Sequence, residues 1–465
     1  MNDMMHVPAA FGAMNLIPPG SLSVDGRPSE ESLANEWVCN NAADWRYDHT
    51  INRWFRWDGS RWLQDGTREA LQSMREHIRQ ASFGGPWSKH KAQPSIGKAS
   101  VARGMEMLCQ IDQRCAVQHD VWDQDSFLLG TPAGIIDLRT GGNAGADRSA
   151  MITKATSVAP APGQPARWLQ FIREVTRGDD ELARFLKLAL GYTLTGSTRE
   201  HALFFGYGGG KNGKSVLLNT VSRIMADYAV TATMDTFTAS NNDKHPTELA
   251  RLDGARLVTA SETEEGRAWA EARIKQLTGG DRIAGRFMRQ DFFEFTPRFK
   301  LFIVGNFRPR LHSVDEATRR RFNIIPFLHV PAKPDQALEA KLAAEHPQIL
   351  RWMINGAVEW FATGLPRPAA IAGATDDYFA DQDLLGQWIA ERCEVRDGAL
   401  GKTGDLYKSW CDFAVENGEA KGAHNTFGEA LAKRGFASAR RNALGRVYLG
   451  IDLRKGSRDD QEHVA

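Results

Sequence analysis

Cysteine is sparse: five in 465 residues, Cys39, Cys109, Cys115, Cys393 and Cys411, with no C-x-x-C pair among them. An odd, scattered set excludes a disulfide framework and disfavours a structural zinc site. Cys109, Cys115 and His119 lie close together in the chain, and buried free thiols explain them better than metal ligands. No apolar run approaches the roughly 18 residues a membrane helix needs, and no signal peptide opens the chain, so a cytoplasmic protein without membrane contact is expected. Excess charge of either sign is missing too, the formal net charge being +1. Any nucleic-acid contact must therefore come from local basic patches. Repeats and low-complexity tracts are absent. What remains is ordinary, with 42% hydrophobic and 25% charged residues, at a length that suits roughly two to four domains.

Residues 1–34, with Pro8, Pro18, Pro19, Gly20 and Pro28, read as a flexible arm. Residues 35–158 read as an α+β accessory domain rich in tryptophan. Arg53–Trp57, Asp58-Gly59-Ser60 and Arg61-Trp62-Leu63 form a hairpin pattern turned at Asp-Gly. Trp37, Trp45, Trp54, Trp57, Trp62 and Trp87 could stack on bases, but a small domain that uses tryptophan as core is the favoured reading. A second β-like segment runs from Leu128 to Leu138. The run Ala159-Pro160-Ala161-Pro162-Gly163-Gln164-Pro165 is the best linker. After it, Trp168–Leu194 has the spacing of one amphipathic helix, a collar or oligomerisation segment over 166–199. A polar break at Pro366–Asp377 separates the core, 200–365, from a last region, 376–455. There three helical patterns, Leu384–Cys393, Thr403–Glu416 and Thr426–Gly435, precede a strand at Arg446–Ile451, a winged-helix-like order. Residues 456–465 are a charged tail without core-forming residues.

The most specific feature is Gly208-Gly209-Gly210-Lys211-Asn212-Gly213-Lys214-Ser215, a full match to G-x-x-x-x-G-K-[ST]. Before it stands the apolar run Ala202–Phe205, short enough for a buried strand. After it, Leu217, Val221, Ile224 and Tyr228 fall on one helical face. A strand, a glycine-rich turn and a helix N-terminus make an anion cradle. Its amides and the positive helix end face the β-phosphate, Lys214 reaches the β/γ oxygens, and Ser215 offers its hydroxyl to Mg²⁺. The expected ligand is a nucleoside triphosphate, ATP with Mg²⁺.

Hydrolysis also needs carboxylates. Arg256–Ser261 is an apolar run that ends in Glu262, with Glu264 and Glu265 just behind. One carboxylate can hold the metal and another can orient the attacking water, and the assignment among the three stays open because Ser261 stands where many NTPases carry Asp. A third apolar run, Phe299–Gly305, ends in Asn306, an amide able to report nucleotide state. Arg319-Arg320-Arg321 precedes a fourth, Phe322–Phe327. In an NTPase such a triplet reads as an arginine finger, carried by Arg320 or Arg321.

Taken in order, these motifs resemble a family. They are Gly206–Ser215, Glu248–Leu252, Ser261–Gly266, Ile274–Asp281, Phe299–Asn306, and Arg320-Arg321 ahead of Ile325-Pro326-Phe327. The core is similar to the superfamily 3 helicase domain of phage, plasmid and satellite-element primase-helicases, the group of the poxvirus helicase-primase. The resemblance is strong over about 130 residues and weaker over the tryptophan-rich region. It implies an α/β fold: a P-loop NTPase core of AAA+-like type, an N-terminal α+β accessory domain and a C-terminal winged-helix-like domain. It further implies a homo-hexameric ring with ATP between subunits, 3′ to 5′ movement, and a channel hairpin at 286–295. In that hairpin Lys275, Arg286 and Arg289 would contact phosphates of single-stranded or replication-fork DNA, with Phe287 or Met288 against the strand. Relatives often carry a primase ahead of the helicase; here only about 35 residues precede the accessory region, so a separate primase or polymerase is the expected partner. The functional expectation is an ATP-dependent DNA helicase for replication of a phage, plasmid or integrated element. The alternatives are an origin-binding initiator, with Lys433-Arg434 and Arg440-Arg441 on its duplex site, and a nucleic-acid-moving NTPase of packaging or defence.

Overall fold

The computed structural model describes residues 29–83, 96–239, 247–262, 266–286, 291–311, 315–418, 421–441 and 445–454. Its centre is a five-stranded sheet: β1 (Leu203–Tyr207), β2 (Ala229–Thr231), β3 (Leu257–Glu262), β4 (Lys300–Gly305) and β5 (Phe322–Pro326), in spatial order β5-β1-β4-β3-β2. Every neighbouring pair is parallel. Strands covered on both faces need no polar side, so they read as unbroken apolar runs, and β4 is buried at all six positions. Four of the five strands answer to runs expected from the sequence. The edge strand β2, three residues and half exposed, has no such run.

Side chains alternate across the sheet with period two. Phe204 and Phe302 point to a layer of helices that carries Leu186, Leu217, Val221, Ile224 and Ile354. Leu203, Phe205, Leu301 and Ile303 point the other way, to Trp269, Ile274, Leu277, Tyr378 and Phe379. The expected helix after the glycine-rich loop is present at Lys214–Met225, and Leu217, Val221, Ile224 and Tyr228 are all buried.

Three expectations change. Trp168–Leu194 is two helices, Ala166–Val175 and Asp180–Leu194. Arg177 and Gly178 take φ values of +57° and +78° and end the first. The Asp179 side chain starts the second by accepting from the Leu182 amide at 2.9 Å. The Pro-rich stretch is laid on the core, with the Ala161 amide donating to the Pro347 carbonyl at 3.0 Å. The proposed break at 366–377 is largely helix, Ala369–Gln382, and its Tyr378 and Phe379 rings lie 6.3 and 5.9 Å from Phe322 of β5. The core therefore continues past 365. Asp180–Leu194 and His346–Thr363 cross in near-backbone contact. A Cβ on Gly191 would stand 2.2 Å from the Ala357 nitrogen, and one on Gly356 2.3 Å from the Lys187 carbonyl oxygen, so only glycine permits this approach.

In the accessory region a helix begins at Glu30 behind a Ser29–Ser32 capping box and buries Leu33 and Ala34, so the arm ends sooner than expected. The Asp-Gly hairpin is present, pairing Arg53–Trp57 with Trp62–Gln64. Trp37, Trp45 and Trp54 pack with centroids about 6 Å apart, and Trp57 and Trp62 are buried as well. Aromatic rings of this size bury roughly 150–250 Å², about 4–6 kcal/mol each at ~25 cal/mol per Å². That cost of exposure settles these five as core. Trp87 lies outside the described residues. Cys109 and Cys115 are buried free thiols, and burial pushes the Cys115 thiol up to about 12.

The C-terminal region orders helix Leu384–Arg392, strand Cys393–Lys402, helices Thr403–Glu416 and His424–Lys433, and strands Ser438–Arg441 and Gly445–Leu453. The three strands form one antiparallel sheet. Two of them, Cys393–Lys402 and Ser438–Arg441, carry polar and glycine-broken sequences that mask their pattern. Among the described residues no helix is long and apolar enough to cross a membrane.

His119 joins the accessory region to the core. Its Nδ1 lies 2.9 Å from buried Asp48 and its Nε2 3.7 Å from Asp253, in the turn ahead of β3. Asp253, and with it Asp48, holds the imidazole up at about 9 against the opposing effect of burial. A folded-state value above the ordinary 6.5 stabilises fully below 6.5 and is lost as pH rises through about 9. The side chain is half exposed, so the effect is modest. Raising the pH from about 6 to about 10 should lower the melting temperature of the wild type more than that of His119→Gln. Parallel slopes in the two melting series would remove this bridge.

Candidate functional site

Register gathers the carboxyl ends of four strands on one edge: Glu262 pairs with Gly305, Gly305 with Tyr207, and Tyr207 with Pro326. The glycine-rich loop 208–213 leaves β1 at this edge and enters the helix Lys214–Met225. Gly213 precedes that helix with φ +88° and supplies no side-chain cap, so the first-turn amides stay available to a ligand. Lys211 also takes a positive φ, +62°. The fit is tight on the inner side. A Cβ on Gly208 would lie 2.1 Å from the Phe327 carbonyl oxygen, and one on Gly213 2.9 Å from both the Phe171 ring and Val175. Gly209 and Gly210 face open space.

Lys214 is buried, and its Nζ donates to the carbonyls of Gly208 (2.5 Å) and Gly209 (3.0 Å), to Asn212 Oδ1 (3.0 Å) and to Asn306 Oδ1 (3.2 Å). Burial lowers its pKa, and no carboxylate is among these partners. The ammonium is thus held by neutral oxygens that charged ones can replace. Asn212, 4% exposed, completes the loop: its Oδ1 accepts from Lys214 and its Nδ2 donates to Phe327 O at 2.7 Å. The sequence marks Asn212 only as a loop position, and its side-chain role follows from the contact with the end of β5. Ser215 is exposed in the first turn of the helix. Glu262 closes β3 beside Gly305; Glu264 and Glu265 lie outside the described residues.

The arginines separate. Arg319 pairs with Asp376 at 2.6 Å. Arg320 is exposed. Arg321 is 9% exposed and donates to the Ala317 carbonyl at 2.6 Å, while its buried Nε finds no partner among the described residues. All three precede β5, at the edge of the sheet opposite the loop.

Lys275, on the helix Glu271–Gly279, pairs with Asp315 at 2.5 Å. Asp315 also caps the turn Glu316–Arg319 through the Thr318 amide, 2.6 Å. Burial raises the Asp315 carboxyl, but the Lys275 and Thr318 bonds outweigh it and bring the pKa down. Sequence reasoning missed Asp315, although an Asp three residues before Thr318 and just ahead of an arginine run is a capping signal. The expected hairpin exists as Ile283–Gly285 paired with Phe293–Phe295. Arg286 stacks its guanidinium 4.7 Å from the centroid of Phe292, which is 61% exposed. Phe287, Met288 and Arg289 lie outside the described residues. Among the described residues no cluster of three or more His, Cys, Asp or Glu could hold a metal ion by itself.

Residues 33–177 match the family described as D5 N terminal like, and residues 206–321 match a family of unknown function, DUF5906. The first match runs through the Pro-rich stretch to the helix packed against Gly213. The chain is 25% identical over 221 residues to a putative helicase of Acanthamoeba polyphaga mimivirus, covering 46% of this chain and 23% of that protein. It is 24% identical over 262 residues to a putative helicase of Frog virus 3, covering 51% and 27%. The matches thus span about a quarter of the length of these curated relatives. Among solved structures, the apo structure of the NrS-1 C terminal region aligns with a TM-score of 0.52 at 10% identity, over 91% of this chain and 100% of that one. At that identity the likeness is one of fold. Residues 33–177 thus carry a D5 N terminal like region ahead of the α/β core, and the chain is similar in sequence to viral proteins named putative helicases.

Proposed function

We propose that the chain is the ATP-driven motor of a DNA helicase that works as a ring, with ATP and Mg²⁺ bound between subunits. The observation that carries this is Lys214, whose buried ammonium is held by four neutral oxygens at the edge where β1, β3, β4 and β5 end. The β- and γ-phosphates would replace those oxygens, with the amides of 208–213 and the open helix end around them. Ser215 and Glu262 would hold the Mg²⁺, which neutralises phosphate charge. A water oxygen attacks the γ-phosphorus, ADP departs with the bridging oxygen, and Glu262 or Glu264 takes the proton of the water. Asn306, bonded to Lys214, is suited to register whether the γ-phosphate is present.

The opposite edge argues for assembly. β5 has five residues, about 17 Å at ~3.3 Å per residue, which is longer than an arginine side chain. Arg320 therefore cannot serve the loop of its own subunit. It is exposed and so suited to reach a neighbour's γ-phosphate, while the burial of Arg321 favours a structural role. Lys275 and the Arg286–Phe292 pair are proposed contacts for a single strand, which then has to compete with Asp315 for Lys275. For the C-terminal region we propose a winged-helix-like domain. Exposed Arg440 and Arg441 on its strand Ser438–Arg441 favour duplex contact, an origin-binding role that footprinting on a preferred site would reveal.

Lys214→Ala should reduce ATP turnover by about 10²–10³-fold or more; normal turnover would overturn the assignment. Arg320→Ala should retain nucleotide binding and lose roughly 10³–10⁵ in rate, and mixing it with wild type should inhibit the mixture beyond simple dilution. Arg321→Ala should instead cost about 1–3 kcal/mol of stability, read as a lower melting temperature. Gly208→Ala should abolish binding of a fluorescent ATP analogue, because the new methyl group collides with the Phe327 carbonyl.

A further inference from the structure

Away from the sheet, the accessory helices Glu69–Phe83 and Ala99–Ile111 border a groove of about 270 Å³. Ile78 and Ile96 contribute to its floor, and Arg75, Arg79, Lys98 and Arg103 stand around it. All four cations are exposed. Arg75 donates to Gln72 at 3.0 Å, and among the described residues none of the four pairs with a carboxylate. Their neighbours behave otherwise. Arg56 pairs with Glu69 at 2.9 Å, Arg114 with Asp112 at 2.6 Å and Arg148 with Asp44 at 2.7 Å. In a chain of net charge +1, four cations without a carboxylate partner among the described residues, around one apolar-floored groove, are a local concentration of charge. They do not follow from a basic protein.

We propose that this groove binds single-stranded DNA, a second contact outside the channel, and the proposal rests on the motor reading above. The rim matches phosphates: Arg75 and Arg79 lie one helical turn apart, about 6 Å along the axis, in step with successive phosphates of an extended strand. The floor matches what a single strand exposes and a duplex hides, the face of an unpaired base. The groove lies between helices of the region that precedes the motor core in the chain. A strand held here is kept apart from the one in the channel, which opposes re-annealing behind the ring.

The test is fluorescence anisotropy with a labelled oligothymidylate across a salt series, using the full chain and its Arg79→Glu/Arg103→Glu variant. Two lost phosphate contacts should weaken binding about tenfold or more and reduce the salt slope by about 1.4, at ~0.7 per phosphate for a single strand. Arg79→Lys/Arg103→Lys should restore most of both. Should charge reversal lower the melting temperature, Arg79→Gln/Arg103→Gln gives the same reading without repulsion. Unchanged affinity and slope in the variants would overturn the groove, whatever the wild-type ATPase does. A wild type that turns over no ATP, yet loses oligonucleotide on charge reversal, would remove the motor and keep the groove.

Discussion

Everything at the candidate site depends on the five central strands running in one direction. A parallel sheet puts all strand carboxyl ends on one edge and all amino ends on the other, and it needs a crossover between successive strands. The crossovers supply the chemistry. One holds the glycine-rich loop and its helix, and another holds the acidic run and the hairpin. The order β5-β1-β4-β3-β2 sets β4 between the loop strand and the acidic strand. Asn306 at its tip is therefore the residue that meets Lys214, while Glu262 stands one strand further out. The same direction sends Arg320 to the far edge. Under the proposed function, an arginine from that edge would have to complete the loop of another molecule.

The opposite edge carries a second constraint. Arg256 and Lys300, at the starts of β3 and β4, are both buried. Arg256 donates to the Leu194 and Leu128 carbonyls at 2.7 Å each and lies 4.5 Å from the centroid of the Tyr228 ring. Lys300 donates to the carbonyls of Ser197 and Arg298 at 3.3 and 3.4 Å, and burial pushes its amine well below the ordinary lysine value. Charged or neutral, these groups are costly to bury unless every donor finds an oxygen. The oxygens come from the hairpin that pairs Leu128–Thr131 with Gly134–Asp137, from the end of the helix Asp180–Leu194, from the loop after it at Ser197, and from Arg298 just ahead of β4. The floor of the sheet is consequently a junction of three segments, and separating any one of them strands a buried cation.

Legibility in the sequence followed the strength of local pattern. The loop, its helix and four strands were readable because buried parallel strands and an amphipathic helix have strong periods, and because G-x-x-x-x-G-K-S tolerates few alternatives. The strand Ala229–Thr231 was not, being three residues long at a half-exposed edge. The split of Trp168–Leu194 was hidden because apolar spacing continues across Thr176–Asp179, where only Gly178 and the Asp179 cap mark the stop. Side-chain partnerships were the least readable part. Asn212 meeting Phe327, Lys275 meeting Asp315 and Glu345 capping the Arg167 and Trp168 amides at 2.9 Å join residues 40 to 178 positions apart, and no local pattern carries such distances. Equally, Arg320 and Arg321 are indistinguishable as letters; the fold separates them by turning one outward and one inward.

Those partnerships also suggest how the two edges could communicate. β5 touches the loop at one end, through Phe327 O, and follows the arginine turn at the other. A rigid five-residue strand transmits displacement because its hydrogen bonds to β1 run along its whole length. If a phosphate draws Lys214 away from Asn212, the Asn212 amide loses one of its two anchors and the end of β5 is held less tightly. The arginine turn is meanwhile restrained by Asp315, itself shared with Lys275. Pairs this exposed are weak individually, and in the motor proposed above that weakness would let each bond form and break within one turnover rather than hold one state.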